Sequence, residues 1–357
     1  MLFNRIMVIG AGLIGGSYIR AILKLDPNQD ITVVEPDSQT RDMLVSDGLK
    51  NVYASIYDVR DRFDLIMLTT REEVTATYLA TMPTELIDDR SIVTDFCSTK
   101  QRLAKVAKKA MIDSCYIGAH PIFGDVSTGY ENSHKTEITG TTMVLMNSGK
   151  NHAGFEKLKS FIEALGQTVV CMDEHDHDVY YASVSHLTHL MAFLQDAMLT
   201  NRNQLLMPPS YKRQSHLAAA DRMLWSEVFS FNQDSLVHLV DNMISQLSQF
   251  KQVASNAKAS AINDWLENLN EREQLSILRQ QIDTIDKHVA ELLKSRLTAA
   301  KQIGGIKQNH KLEIVQCARE QEVYNRVQST VETSQFDKHI LGIYSTIIEK
   351  SRLVQES

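Results

Sequence analysis

The 357-residue sequence has few cysteines, no long apolar run and no excess of positive charge. Its four cysteines, Cys97, Cys115, Cys171 and Cys317, stand far apart without a CxxC pair, which fits a reducing compartment and leaves them as buried or idle thiols. No stretch approaches the roughly 18 apolar residues that would span a bilayer. Met1 to Arg5 runs toward a first strand with no signal-peptide pattern, so a cytoplasmic location is expected. The 37 Lys and Arg against 44 Asp and Glu leave a net charge of −7, so no basic stripe could hold a nucleic acid as main partner. What is present is ordinary: 43% apolar and 23% charged residues, in a chain long enough for two or three domains.

The stretch Val8-Ile9-Gly10-Ala11-Gly12-Leu13-Ile14-Gly15-Gly16-Ser17 organises the first half. It reads as the turn from a buried strand into a helix. Gly10 permits the tight turn, Gly12 lets a pyrophosphate approach the backbone, and Gly15 lets helix and strand pack closely. The first helical residues, Leu13 and Ile14, present free amides to the phosphates. Ile31 to Val34 is a second strand, and Glu35 ends it twenty residues after Gly15. An acid there accepts hydrogen bonds from ribose hydroxyls and repels a 2′-phosphate, which selects NAD over NADP. Phe63 to Thr70 is another buried strand, whose end at Thr69 should lie over the cofactor, and Ser91 to Asp95 follows. Strands alternating with helices imply a Rossmann-like, doubly wound parallel α/β sheet.

Ligands in that architecture bind at the carboxyl ends of the strands. Asp95-Phe96-Cys97-Ser98-Thr99-Lys100 falls there, as does Gly118-Ala119-His120-Pro121. His120 is the candidate base: an imidazole can take the proton of a substrate hydroxyl while hydride leaves the same carbon. Ser98 could bond that imidazole or the cofactor. The run Asp173 to Asp178 holds two histidines and four acids but matches no metal-site spacing, so it reads as a solvated junction and no metal is expected. Beyond Tyr180 only helical periodicity is visible, broken at Pro208-Pro209.

The GAGLIGGS turn, Asp95…Ser98-Thr99-Lys100, Gly118-Ala119-His120-Pro121…Gly124 and Ser185-His186-Leu187-Thr188-His189 together resemble the prephenate dehydrogenase family. The resemblance implies NAD-dependent oxidation of a ring hydroxyl with loss of carbon dioxide. It makes His120 the acid/base residue with Ser98 as its support, and His189 a substrate contact. It also implies that the helical region is a dimerisation domain closing the active site. The family usually places an arginine nine residues before an aromatic. Asp221 and Trp225 fit that frame, but the arginine position holds His216. Arg213, nearby, is expected to substitute in gripping the dianionic substrate.

After a charged stretch at 268–274, which reads as a linker, Leu275, Leu278, Ile282, Ile285, Val289 and Leu292 step by three and four. The register continues through Arg296, Ala299, Ile303 and Ile306, giving a helix of roughly 35 residues, about 50 Å long. Its apolar seam needs another helix, from this chain or from another. Arg296 on that seam requires an anion. Lys307, eleven residues on, shares its stripe, whereas Arg279, seventeen residues before, points about 100° away and could reach the same pocket only from a second chain.

This pattern, with Arg319-Glu320 and the closing Ser351…Gln355, resembles the all-helical chorismate mutase family. The resemblance implies that Arg296, Lys307 and Arg319 of one subunit and Arg279 of its partner grip the two carboxylates of chorismate. Lys307 and Gln355 would donate to the ether oxygen as negative charge builds there, and Glu320 would bind the ring hydroxyl. Ser351 shares a helix face with Gln355. Gln316 stands where the family can carry an acid.

The expected organisation is a nucleotide-binding domain at 1–172, an all-α dimerisation and substrate domain at 173–266 and an all-α chorismate mutase domain at 270–357. The expected protein is a homodimer that turns chorismate into prephenate and oxidises it with NAD, without nucleic-acid or membrane partners. Two alternatives stay open at this level. The dehydrogenase substrate could be arogenate, or the N-terminal half could be a non-catalytic NAD- or tyrosine-binding module regulating the mutase.

Overall fold

Apolar runs form the eight strands of one sheet: β1 (Arg5–Ile9), β2 (Asp30–Val34), β3 (Asn51–Tyr53), β4 (Leu65–Leu68), β5 (Ile92–Asp95), β6 (Tyr116–Ile122), β7 (Thr142–Met146) and β8 (Thr168–Met172). They lie in the order β3-β2-β1-β4-β5-β6-β7-β8. The computed structural model describes residues 2–124, 128–147, 151–199, 204–256, 258–310, 313, 317–331 and 336–356; for 204, 256, 270–277, 280, 281, 317, 318, 331 and 356 only the backbone is described. The expected position Gln316 lies outside the described residues.

Helices α1 (Leu13–Leu25), α2 (Ser38–Ser46), α3 (Glu72–Thr81), α4 (Gln101–Lys109) and α5 (His152–Ala164) cover the sheet. Along β1, Ile6 and Val8 enter the core with Tyr18 and Phe161, while Met7 and Ile9 enter the other core with Leu79 and Leu103. A strand buried on both faces is what an unbroken apolar run specifies.

The sheet departs from the expected all-parallel pattern at β7. Pairing of β5 with β6 ends at Asp95↔Gly118, and β6 then runs on against antiparallel β7, with His120 opposite Val144. His120 therefore sits on a strand extension past the carboxyl edge of β5, held by β7 alone.

Beyond β8 come α6 (Glu174–Tyr181), a π-helical turn at Ala182–His186, α7 (Leu187–Ala197), α8 (Pro209–Leu217), α9 (Arg222–Phe231) and α10 (Gln233–Asn256). The chain divides into two compact units, Met1–Ser248 and Gln249–Ser357.

The second unit contains α11 (Ala259–Glu267), α12 (Leu269–Asn309), α13 (Cys317–Val331) and α14 (Asp337–Glu356). The 41-residue α12 begins at Leu269, so the stretch expected as a linker is helical. At Gly304 a Cβ would stand 2.5 Å from the carbonyl oxygen of Gln355, so α12 and α14 meet backbone to backbone there. The seam residues Leu278, Ile282, Ile285, Val289 and Leu292 are 45–70% exposed within the single chain. No helix among the described residues is long and apolar enough to cross a membrane.

Candidate functional site

The glycine turn is built around close approaches. Gly10 has φ +91°, and a Cβ on Gly15 would lie 2.1 Å from the Gly10 carbonyl oxygen. A Cβ on Gly12 would meet nothing within 4 Å, so this side of the turn faces space rather than protein. Gly12 caps α1 without a side-chain bond, leaving the first-turn amides of Leu13, Ile14 and Gly15 for a ligand. Thr69 Oγ1 donates to the Gly10 oxygen at 2.6 Å and holds the turn down. Glu35 Oε2 accepts from Ala11 N at 2.8 Å, so the acid ending β2 stands at the same turn. These residues fit a dinucleotide, with space at Gly12 and an acid in ribose position.

His120 lies farther along the same edge. Its Nδ1 is 2.9 Å from Nε2 of His177, and Nδ1 of His177 is 2.9 Å from Oδ1 of Asp178. Asp178 also accepts from Lys100 N at 2.8 Å and Gln101 N at 2.9 Å, the start of α4. Both its oxygens accept at a helix N-terminus, so toward His177 it stands as an acceptor as well. His177 therefore donates from Nδ1 and accepts at Nε2. His120 donates from Nδ1, and its Nε2 keeps a lone pair that no described residue engages. Burial, then the neighbouring His177, Lys100 and His186, pushes the His120 pKa well below the usual imidazole value, so it is a neutral base.

His177 and Asp178 were hidden in the run read as a solvated junction; both are buried, at 0% and 1% exposure. Ser98 is half-buried on the loop after β5 and makes no hydrogen bond among the described residues; His177, not Ser98, engages His120.

Lys100 is fully buried, ion-paired to Asp95 and donating to the Ala119 carbonyl at 2.6 Å, next to His120. Glu72 Oε1 accepts from Thr99 N at 2.8 Å, tying the start of α3 to the loop that carries Ser98. Burial raises the Glu72 pKa from 4.5 to about 7, against the pull of Lys100. A carboxyl whose folded pKa is raised contributes stability that is full below its unfolded pKa and lost as pH rises through the folded value. The shift corresponds to about 3 kcal/mol at most. Thermal melts should thus show wild type most favoured over Glu72→Gln near pH 5, with the advantage gone by pH 8. A difference independent of pH would contradict this.

His189 follows the π turn on α7. Its Nδ1 donates to the Ser185 carbonyl at 3.0 Å, and its ring stacks on Trp225 with centroids 3.6 Å apart. Trp225 and Arg222 of α9 line one cleft of about 370 Å³ with Phe193 and Asp196 of α7. Arg213 and His216 are exposed on α8 and do not line it. Arg222, three residues before Trp225, was not anticipated.

In the second unit Arg296 is half-buried, bonded to Ser351 Oγ and to the Ile347 carbonyl at 3.4 Å. Lys307 is half-buried on the same helix, and Oε1 of Gln355 is buried without a partner among the described residues. An orphaned buried amide atom fits a site shaped for a polar ligand. Glu320 is held by Arg352, at 3.0 Å from Nε and 2.5 Å from Nη2. Arg352 escaped the sequence reading, although it directly follows Ser351. Arg319 pairs with Glu322 at 2.7 Å, and Arg279 is exposed. Among the described residues no group of His, Cys, Asp and Glu is arranged to hold a metal.

Family models match three consecutive stretches: a prephenate dehydrogenase nucleotide-binding domain over 20–171, a prephenate dehydrogenase dimerization domain over 173–268, and a type II chorismate mutase over 278–356. The chain belongs to the prephenate dehydrogenase family and carries a type II chorismate mutase domain. The first match starts at Arg20, so the glycine turn rests on its geometry. Within the prephenate dehydrogenase family, a cyclohexadienyl dehydrogenase of Zymomonas mobilis is 24% identical, aligned over 74% of this chain and 92% of its own. An Aquifex aeolicus prephenate dehydrogenase, solved in complex with hydroxyphenyl propionate and NAD+, shares the fold at TM-score 0.66 and 22% identity, over 78% of this chain and 98% of its own. A Synechocystis arogenate dehydrogenase does so at TM-score 0.61 and 21% identity, over 76% and 99%.

Proposed function

We propose that the chain catalyses two consecutive steps of tyrosine biosynthesis. The C-terminal domain rearranges chorismate to prephenate, and the N-terminal pair oxidises and decarboxylates prephenate to 4-hydroxyphenylpyruvate. The observation that carries the dehydrogenase reading is the neutral His120, oriented with its Nε2 lone pair free at the carboxyl edge of the sheet. NAD, when bound, supplies the hydride acceptor; Gly10, Gly12, Leu13, Ile14, Gly15, Glu35 and Thr69 would hold it. His120 takes the hydroxyl proton, Ser98 contacts substrate or nucleotide, and His189, fixed by Trp225, offers Nε2 to the substrate. Aromatisation of the ring then drives loss of carbon dioxide.

In the mutase domain Arg296, Lys307, Arg319 and a partner's Arg279 grip the carboxylates. Lys307 and Gln355 meet the charge growing on the ether oxygen, Ser351 orients Arg296, and Glu320 takes the ring hydroxyl. The exposed seam of α12 supports a homodimer. We keep the domain limits at 1–172, 173–266 and 270–357, and a cytoplasmic location.

Adding chorismate and NAD to the purified protein should produce NADH. Chorismate consumption without NADH would favour a regulatory N-terminal half. Arogenate oxidised faster than prephenate would move the substrate assignment.

The substrate carboxylates need a cation in place of the arginine missing at His216. Arg213→Ala is expected to raise the KM for prephenate roughly tenfold or more with kcat retained, the loss of one charge-assisted contact. If Arg222→Ala does so instead, the cation beside Trp225 holds that role; its place in the cleft with Trp225 favours this second reading.

A further inference from the structure

The buried pair His177–Asp178 does more than the dehydrogenase reading requires. Orienting His120 needs only one acceptor for its Nδ1–H, and a carbonyl or a carboxylate suffices, as in hydrolase triads. Here a second imidazole stands between base and carboxylate, completely buried, whereas His120 is partly exposed. An imidazole in that place can itself hold a proton.

We infer that His177 is a relay, receiving through His120 the proton that leaves the substrate hydroxyl. The inference rests on the dehydrogenase reading. The substrate O–H bond breaks and its proton bonds to Nε2 of His120. The Nδ1–H proton of His120 crosses the 2.9 Å gap to Nε2 of His177, and the resulting imidazolium lies against Asp178. His120 is again neutral, in its other tautomer, and the hydride leaves with both electrons of the C–H bond. After product departs, the same path in reverse returns the proton to solvent, so nothing is consumed.

The charges around the two rings favour the inner site. From the start of α4, Lys100 places its ammonium on the carbonyl of Ala119, next to His120, and opposes a cation on either ring, as burial does; only at His177 do Asp178 and Asp95 pull the other way. Asp95 of β5 neutralises part of that charge. On α6, Asp178 bonds His177 directly and favours its cation, and the Tyr181 ring packs on both imidazoles, 4.7 and 4.5 Å away. From the π turn, His186 is neutral, its pKa pushed down to about 4 by burial. Among the described residues Asp178 is the one acidic side chain bonded to either imidazole, and it bonds the inner one.

The test is His177→Gln, whose amide oxygen can still accept from His120 but which cannot become a cation. Asp178 is left alone because it also caps α4. Prephenate and NAD should bind with KM values within about threefold of wild type, and mutase turnover should be unchanged. The kcat for NADH formation should fall about 10- to 100-fold, within the range of general-base effects. The acid limb of the kcat–pH profile should move to lower pH, because a base that cannot pass its proton inward is harder to protonate. An unchanged kcat, a fall with an unmoved limb, or a limb moved upward would each overturn the relay. A second readout needs no turnover: ¹⁵N spectra of histidine-labelled protein without nucleotide should show His177 protonated at Nδ1 and bare at Nε2. Protonation at Nε2 instead would overturn it. If wild type forms no NADH from prephenate, the dehydrogenase reading fails, while the ¹⁵N result still reports whether the proton wire is set as described.

Discussion

His120→Asn should cut NADH formation from prephenate by about 10²- to 10⁴-fold, the usual contribution of a positioned general base, while chorismate is consumed at the wild-type rate. Asparagine can still donate toward Nε2 of His177, so the neighbouring contacts have a partner. What disappears is the lone pair facing the substrate. The mutase activity of the same molecule is an internal control for folding. Retained NADH formation would falsify the assignment of the base.

Arg296→Ala should produce the converse. The mutase rate is expected to fall about 10- to 100-fold, the scale of a lost hydrogen bond between charged groups, with oxidation of added prephenate unchanged. Arg296 is half-buried, and its bonds to Ser351 Oγ and the Ile347 carbonyl tie its guanidinium to α14. Arg296→Lys should rescue little, because an ammonium cannot reproduce the planar two-point grip on a carboxylate. Chorismate with NAD should then give no NADH, although prephenate with NAD still does. If both substrates fail, the substitution has damaged more than one site and the assignment to the mutase is wrong.

The glycine turn and His120 were legible because each is local: a turn, a strand end and a titratable group within a few residues. The long helix was legible from its period, yet its start was misplaced, because charged residues at 268–274 read as a linker although nothing in them prevents a helix. His177 and Asp178 were not legible, since their burial depends on α6 laying Asp178 on the start of α4, seventy-seven residues earlier in the chain. Arg352 was missed similarly: its pairing with Glu320 joins two helices and leaves no trace in either period. The reversed β7 was not anticipated either, because a buried strand reads alike in both directions.

That reversal bears on which way the base faces. Side chains on a strand alternate between two sides, so a slip of one residue in the pairing of His120 with Val144 would turn the imidazole over. Past Gly118 no parallel neighbour guards against this slip. The face the base presents is thus dictated by its antiparallel partner, and a single residue inserted within 142–146 would silence the oxidation without touching any group that meets the substrate.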